Sequence, residues 1–315
     1  MGPVFTNYIL EQMTPMPRVS VVIPTYNRPH LLKKLLDSLA RQTAPLSTYE
    51  VIVVSDGSTD GTHDYLDGFC AEHQLFRYVV QKNQGPAAAR NLGLELANGK
   101  YVAFTDDDCV ASPEWVAEVS RYLDENEDVL GMEGQTVTID NEVTPFTHQI
   151  LGSGECYASC NVAYRRDAIR KAGGFDRSFF YGNEDVDVAW RVMGMGRVVY
   201  NENMVIIHPP IPLTFMKFVR VPETYGVEIL LYKRHPDKYL ERKKHNPLYV
   251  VFLSIGIRYL PGEVVRFLRM ATGKPAMQLK VIAGLLMRRF WLLLVAPRLL
   301  AMYYGLVKEN KSYVS

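Results

Sequence analysis

Phe104-Thr105-Asp106-Asp107-Asp108-Cys109 places three consecutive carboxylates directly after a short apolar run, Tyr101–Phe104. The apolar run follows a break at Gly99 and is typical of a buried strand. Adjacent carboxylates repel one another unless a positive charge neutralises them, and hard divalent cations are bound by such oxygens. An acidic turn that caps the helix starting at Ser112-Pro113-Glu114 would give the same pattern. The stretch alone therefore leaves a metal site and a capping turn open.

Three further apolar runs precede this stretch, and a helical pattern follows each of them. The runs are Arg18–Ile23, Tyr49–Val54 and Phe76–Val80. Apolar strands that alternate with amphipathic helices are typical of a parallel α/β sheet with helices on both faces. Ligands of such sheets bind beyond the carboxyl ends of the strands. Polar turns end three of the four strands: Pro24-Thr25-Tyr26-Asn27, Ser55-Asp56-Gly57-Ser58 and Asp106-Asp107-Asp108. We expect these turns to converge on one crevice.

This chain lacks the motifs that are typical of several α/β enzyme classes. No G-x-G-x-x-G follows the first strand, which disfavours a dinucleotide-binding fold, and the G-x-x-x-x-G-K-[ST] of P-loop nucleotide hydrolases is absent. A phosphatase with an aspartate nucleophile would carry D-x-D directly after the first strand, whereas here the acidic cluster follows the fourth. These three classes are therefore disfavoured.

The formal net charge of +1 conceals an uneven distribution along the 315 residues. Residues 1–214 carry 17 Lys and Arg against 28 Asp and Glu, whereas residues 215–315 carry 18 against 6. The acidic first part fits a metal-binding enzyme, and the basic, apolar tail suits an anionic surface such as a membrane. Basic patches also occur in nucleic-acid-binding proteins, but no recognition motif is present, so no nucleic acid partner is expected.

The cysteines and the N-terminal stretch predict a reducing, cytoplasmic location. Cys70, Cys109, Cys156 and Cys160 lack the paired spacing of a structural zinc site and fit small buried residues in a reducing compartment. Met1–Pro17 has neither the basic start nor the apolar core of a secretory signal peptide. We therefore expect the catalytic part to lie in the cytoplasm.

Four blocks of the first half share the order and spacing of a known enzyme family. They are Val22–Arg28 (VIPTYNR), Val53–Thr62 (VVSDGSTDGT), Gly85–Asn91 (GPAAARN) and Phe104–Asp108 (FTDDD). Together they resemble the successive signatures of glycosyltransferase family 2, over about residues 18–210. The resemblance implies the α/β GT-A fold, with a mostly parallel central sheet and helices on both faces. It also implies inverting, metal-dependent transfer of a sugar from a nucleotide diphosphate, with UDP-sugars favoured, to a hydroxyl of a glycan or lipid-linked glycan of the cell envelope.

The resemblance also implies which residues bind the donor and a metal ion. The candidate donor-binding residues are Pro24, Thr25, Tyr26, Asn27, Asp56, Arg90, Asp106 and Asp107. A carboxylate such as Asp56 can accept a hydrogen bond from a base N–H, for example N3–H of uracil. Asp106 and Asp108 are the candidate ligands of Mn²⁺ or Mg²⁺, which would bridge the diphosphate. His208, at the end of a later strand, is a candidate third ligand, although a lone histidine is more often a packing residue.

A second acidic motif, Glu184-Asp185-Val186-Asp187, opens a helical pattern. Carboxylates in a first helical turn interact favourably with the helix dipole, which explains Asp187 together with Arg191 four residues later. The family resemblance places the catalytic base at Asp185, and a carboxylate that removes the proton of a sugar hydroxyl accelerates transfer by about 10²–10⁴-fold. Residues expected to contact the acceptor or position the site are Glu184, Asn161, Trp190 and Arg191.

The tail after residue 214 matches none of the family blocks. Its apolar runs, Leu248–Leu260 and Met277–Val307, are interrupted by basic residues, and neither has the ~18 or more uninterrupted apolar residues of a spanning helix. We expect helices that lie in a membrane interface, with packing against the catalytic domain or a dimer contact as the alternatives. The predicted division is an N-terminal extension (1–17), a GT-A catalytic domain (18–214) and a basic helical region (215–315), peripheral on the inner face of the cell membrane.

Two other functions remain open at this stage. A non-catalytic nucleotide-sugar-binding protein would be expected to carry a damaged site, whereas both acidic motifs are present. A nucleotidyltransferase on a related sheet would carry a glycine-rich basic loop after the first strand, where this chain has Pro24–Arg28.

Overall fold

A computed structural model describes residues 16–138, 143–150, 152, 154–179 and 182–306. These residues form two compact units. The first unit contains the described residues of 16–136, 152–174 and 195–207, and the second contains those of 137–151, 175–194 and 208–306. The predicted boundaries at residues 17 and 214 remain a prediction.

The described residues contain ten strands and eleven α-helices. The strands are β1 Val19–Thr25, β2 Tyr49–Ser55, β3 Phe76–Val80, β4 Tyr101–Phe104, β5 Val110–Ala111, β6 Val129–Val137, β7 Thr147–His148, β8 Val162–Arg165, β9 Arg197–Ile207 and β10 Ile211–Pro212. The helices are α1 Pro29–Leu39, α2 Thr62–Glu72, α3 Pro86–Leu96, α4 Trp115–Glu125, α5 Arg166–Lys171, α6 Glu184–Met193, α7 Phe215–Arg220, α8 Gly226–Arg234, α9 Pro236–Lys243, α10 Leu260–Met270 and α11 Pro275–Tyr303.

The first unit is built on an eight-stranded sheet with the order β3-β2-β1-β4-β8-β6-β9-β5. The four predicted strands, β1 to β4, are parallel neighbours, as their continuous apolar sequence indicates. β1 extends through Pro24 to Thr25, two residues past the predicted end. The extension is possible because β4 pairs with β1 only as far as Val22, so the missing N–H of Pro24 removes no bond to β4.

Strands after β4 run against the parallel half. β8 is antiparallel to both β4 and β6, and β5 is antiparallel to β9. The sequence also predicts a strand from Cys156 to Tyr164. This prediction is wrong in its first half, because only Val162–Arg165 forms β8. Glu155 and Tyr157 have φ angles of 69° and 52°, in the left-handed region that a strand does not contain.

Helices make up most of the second unit. Its tail runs through α7, α8 and α9 into a π-helical segment, Tyr249–Arg258, and then the pair α10 and α11. α11 is 29 residues long and is packed through two apolar clusters centred on Leu292 and Leu285. In the described part of the chain, no helix is both long and apolar enough to cross a membrane.

Candidate functional site

The turns after β1, β2 and β4 lie at one edge of the first unit, because these strands are parallel neighbours in the sheet. The contact between them is direct. The Thr25 hydroxyl, at the end of β1, donates a 2.7 Å hydrogen bond to Oδ2 of Asp107, which follows β4. The backbone N–H of Asp56, after β2, donates to the carbonyl of Thr25 at 2.8 Å. The structure therefore brings these three sequence-predicted turns together.

Two arginines neutralise the acidic cluster. Arg90, 4% exposed on α3, donates from Nη2 to Oδ1 of Asp106 at 2.7 Å. Arg28, directly before α1, places Nη1 3.4 Å from Oδ1 of Asp107 and 3.5 Å from Oδ2 of Asp108. Three carboxylates can therefore stay close together without a bound ligand.

Asp107 differs from its two neighbours in burial. Burial raises the pKa of Asp107 to about 6, although the hydrogen bond from Thr25 and the charge of Arg28 act in the opposite direction. Both of its carboxylate oxygens contact groups of the protein. Asp107 thus connects the ends of β1 and β4, while the side chains of Asp106 and Asp108 keep 24% and 11% of their surface exposed.

The side chains at this edge supply ligand atoms that suit a hard divalent cation. Asp106 and Asp108 supply carboxylate oxygens, the ligands that Mg²⁺ and Mn²⁺ take together with phosphate oxygens. His208 is buried, and its Nδ1 lies 2.7 Å from the carbonyl oxygen of Pro209. A proton on Nδ1 makes Nε2 the basic nitrogen of the ring, as in metal-binding histidines. His208 directly follows Ile207, which pairs with Val110, two residues beyond Asp108.

Asp56 holds two loops together. Its Oδ1 accepts from the Gln81 side chain and the Gln84 backbone N–H, at 2.7 and 2.8 Å, and its Oδ2 accepts from the Gly85 N–H at 2.8 Å. Gly85 has a φ of 90°, which a residue with a side chain rarely adopts, and it immediately precedes α3. A carboxylate has about four acceptor positions, so these contacts leave Oδ2 able to accept one further N–H.

The turn after β1 is fixed by Asn27, which leaves the ring of Tyr26 on the surface. Asn27 has a φ of 54°, its backbone N–H donates to the Ser58 hydroxyl, and its side-chain oxygen accepts from the Thr59 N–H at 2.7 Å. Asn tolerates this left-handed backbone better than most residues. Tyr26 is 46% exposed and Pro24 is buried within β1. Tyr26 is thus available to a planar ligand, whereas Pro24 shapes the strand.

The second acidic motif lies in the second unit, at the start of α6. Asn183 precedes the helix with a left-handed φ of 67°, and Glu184 is buried, whereas Asp185 is half-buried. Oδ1 of Asp185 accepts from the Val186 N–H at 2.8 Å. This N–H is one of those that a helix leaves without an intrahelical partner in its first turn, so the contact fixes the orientation of the carboxylate.

Asp187 forms a buried network with two partners. Its Oδ1 lies 2.8 Å from Nε2 of His235, and its Oδ2 accepts from Nε of Arg191 at 3.0 Å. Burial alone would raise the pKa of Asp187, but these two hydrogen bonds and their charges lower it below its ordinary value. Trp190 packs edge-on against the His235 ring and is 5% exposed. Asp187 and Trp190 therefore join α6 to the start of α9 through His235, and Arg191 holds the Asp187 carboxylate in place.

Replacing Asp187 with Asn is expected to lower the free energy of unfolding by about 2 kcal/mol at pH 7, because it leaves the partly buried guanidinium of Arg191 without its carboxylate. In the wild type, Asp187 stabilises the fold at pH values above about 4, the pKa of an aspartate in the unfolded chain. This stabilisation is lost as the pH falls through the lower pKa of Asp187 in the folded protein. Urea unfolding at both ends of this pH range measures the difference. Asp167→Asn, at an exposed first-turn position of α5, is the matched control. Equal stability of the two variants at pH 7 would contradict the expectation.

Asn161 is a positioning residue of the first unit. It is fully buried, its Oδ1 accepts from Trp115 Nε1 at 2.8 Å, and its Nδ2 donates to the carbonyls of Gln135 and Met204. These bonds fix the strand region where β6, β8 and β9 meet. Direct contact between Asn161 and an acceptor, which the sequence left open, does not fit a side chain without exposed surface.

Sequence reasoning missed two residues that the structure connects to the acidic motifs. Arg28 directly follows the turn after β1, so its position beside the three converging turns was a usable signal. His235 is 48 positions from its partner Asp187 and stood only in a basic run, which contains no signal for that pairing.

Comparison with known proteins finds a family match for part of the chain. Residues 20–160 match the model of glycosyl transferase family 2. The glycosyltransferase AglE of Haloferax volcanii is 30% identical over 186 residues, which cover 56% of this chain and 60% of that protein. The validoxylamine A glucosyltransferase of Streptomyces hygroscopicus subsp. jinggangensis is 44% identical over 106 residues, which cover 33% of this chain and 25% of that protein. The chain thus spans less than two thirds of these relatives.

Solved structures show the same fold. The mannosyltransferase PcManGT of Pyrobaculum calidifontis, solved with GDP-Man and Mn²⁺, gives a TM-score of 0.60 at 22% identity, covering 95% of this chain and 89% of its own. TarS 1–349 of S. aureus, solved with UDP-GlcNAc, also gives 0.60, at 20% identity, covering 89% of this chain and 92% of its own. The fold is therefore GT-A, as expected. Residues 20–160 of the chain are therefore similar to glycosyltransferase family 2, within a GT-A fold.

Proposed function

We propose that this chain transfers a sugar, with inversion, from a nucleotide-diphosphate sugar to a hydroxyl acceptor. The observation that carries the proposal is the cluster Asp106–Asp108 at the end of β4, bonded to Thr25 and neutralised by Arg28 and Arg90. This edge offers carboxylates for a cation, arginines for phosphate and a carboxylate for a base. That combination matches the chemistry of a nucleotide-diphosphate sugar.

The donor nucleotide is proposed to lie along the turns after β1, β2 and β4. The remaining acceptor position on Asp56 suits an N–H at the edge of a base, and the exposed ring of Tyr26 suits stacking. We favour uracil, whose N3–H would serve Asp56. PcManGT was solved with GDP-Man and TarS with UDP-GlcNAc, so the fold accommodates either base.

Asp106 and Asp108, with His208 as a third ligand, are proposed to hold Mn²⁺ or Mg²⁺. When bound, the cation would offset the charge that develops on the departing diphosphate. Arg90 holds Asp106 in place, and Arg28, whose side chain is 53% exposed, can turn from the carboxylates to a phosphate oxygen. Asp107 keeps the ends of β1 and β4 in register beneath these contacts.

Asp185 is proposed as the base that removes the proton of the acceptor hydroxyl as its oxygen attacks C1 of the sugar. Its hydrogen bond at the start of α6 holds one carboxylate oxygen in place and leaves the other oxygen for the acceptor hydroxyl. Glu184 shares that helix start, and Asp187, Trp190 and Arg191 keep α6 in position. We propose a glycan or lipid-linked glycan of the cell envelope as the acceptor, with the chain peripheral on the inner face of the membrane. The basic composition of the tail supports this placement.

Thermal shift with a panel of nucleoside diphosphates tests the donor class. We expect UDP with Mn²⁺ to raise the melting temperature, because a ligand at 100 times its Kd adds about 2.7 kcal/mol. The rise should be smaller without Mn²⁺ and smaller for ADP. A chain that no nucleoside diphosphate stabilises would argue against the proposal. Release of free nucleoside diphosphate, rather than pyrophosphate, from the matching sugar donor would distinguish sugar transfer from nucleotidyl transfer.

A further inference from the structure

α11 is apolar on both of its faces. One face carries Val281, Leu285, Leu292 and Leu299, all at most 6% exposed, which pack on α7, α8 and α10 through the two clusters of the second unit. The opposite face carries a stripe that recurs every three or four residues, which we call the α11 stripe: Leu279, Ile282, Leu286, Phe290, Leu293 and Leu300. Leu286 and Phe290 are each 62% exposed, and Leu293 is 68% exposed.

The α11 stripe is too long and too continuous for an ordinary solvated surface. A 29-residue helix extends about 44 Å, and the stripe covers most of that length. Soluble surfaces rarely expose so extended an apolar patch unless it contacts another molecule or a membrane. Since no described helix can cross a membrane, a bilayer contact of this helix would have to lie in the plane of the surface.

The exposed charges of the same C-terminal segment favour an anionic partner. Between residues 249 and 306, the exposed ionic side chains are all cationic: Arg258, Arg266, Arg269, Lys274 and Lys280. The single acid of that segment, Glu263, is largely buried and pairs with Arg288 and Arg289 of α11. An anionic lipid surface complements this combination of apolar stripe and cations.

A second copy of the chain fits the same face less well. A two-fold contact places identical patches opposite one another, so the cations of one copy would approach those of the other. An anionic bilayer meets the same cations with opposite charge. The exposed aromatic rings of Tyr259 and Tyr304 also suit the level of lipid headgroups.

We propose that α11 lies in the plane of an anionic lipid surface. Its stripe enters the boundary between headgroups and acyl chains, and the surrounding cations contact the headgroups. The inference gives the membrane contact proposed above a defined surface and a lipid chemistry. It does not depend on the identity of the donor or on catalysis.

Vesicle flotation of the full chain tests the proposal. The wild type is expected to float with vesicles of phosphatidylcholine and phosphatidylglycerol in equal parts, and far less with phosphatidylcholine alone. The triple variant Leu286→Glu, Phe290→Glu, Leu293→Glu should lower the partition coefficient by at least about 100-fold. These side chains are exposed, so the fold should persist. The matched control changes three exposed apolar residues of the first unit: Met16→Glu, Leu46→Glu and Val80→Glu.

A charge variant tests the cations separately. Arg266→Glu with Arg269→Glu should weaken flotation on the mixed vesicles by about fivefold or more per residue and leave the weak binding to phosphatidylcholine unchanged. Lys33→Glu with Lys34→Glu, two exposed lysines of α1, is the charge-matched control.

Two outcomes would overturn the inference. One is flotation of the triple variant at the wild-type level. The other is a wild type that does not float with vesicles and forms a dimer in solution, combined with a triple variant that is a monomer. The α11 stripe would then be a contact between copies of the chain. Calorimetric binding of UDP with Mn²⁺ is measured on every variant. Vesicle binding without nucleotide binding would refute the proposed function and leave this surface in place.

Discussion

Asp108→Asn is expected to abolish sugar transfer, with a loss of at least about 10³-fold in kcat/KM. The substitution removes a charged oxygen from the proposed cation site while keeping the shape of the side chain. It also leaves the side chain beside Arg28, 3.5 Å away in the wild type, without a full negative charge. The loss of the charged oxygen weakens binding of a cation, and with it binding of the diphosphate whose charge the cation would offset.

Calorimetry separates this effect from misfolding. UDP should bind Asp108→Asn more weakly in the presence of Mn²⁺, and the two proteins should differ much less without it. Asp64→Asn, at an exposed position of α2, changes the same chemical group away from the edge and should behave as wild type. Unchanged affinity for UDP with Mn²⁺ in Asp108→Asn would remove Asp108 from the metal site.

Asp185→Asn is expected to lower kcat by about 10²–10⁴-fold while donor binding stays at the wild-type level. An amide cannot take the proton of the acceptor hydroxyl, but it can keep the hydrogen bond to the Val186 N–H that holds the side chain in place. The two variants therefore differ in kind: Asp108→Asn loses nucleotide affinity, and Asp185→Asn keeps it.

The control for Asp185 is Asp237→Asn, which changes an exposed aspartate in the first turn of α9. It removes the same favourable charge from a helix start without touching α6. Steady-state kinetics at saturating donor measures both variants. If Asp185→Asn retains its kcat, another group takes the proton.

The parallel half of the sheet was predictable because its strands are continuous apolar runs separated by helical patterns. Once the order of the strands is known, the turns at Thr25, Asp56 and Asp106 must share one edge, so that part of the candidate site was predictable as well. The first residue of β8 was not predictable from the sequence. Its start depends on left-handed backbone at Glu155 and Tyr157, and neither residue type indicates such a conformation.

Pairings between distant side chains were also beyond sequence reasoning. Asp187 and Arg191 are four residues apart on α6, so their ion pair follows from helical geometry. The third member, His235, meets Asp187 only through packing within the second unit. The α11 stripe was predictable only in part. The apolar run is visible in the sequence, but which side of the helix stays exposed depends on how the neighbouring helices pack.

Asp56 has a consequence for attempts to change the proposed donor preference of this chain by engineering. The carboxylate proposed to recognise the base also anchors the loop from Gln81 to Gly85. Any residue introduced there to suit another base would release that loop at the same time. Libraries that aim at a new nucleotide should therefore keep Asp56 and vary exposed positions such as Tyr26, where specificity can change without loss of the scaffold.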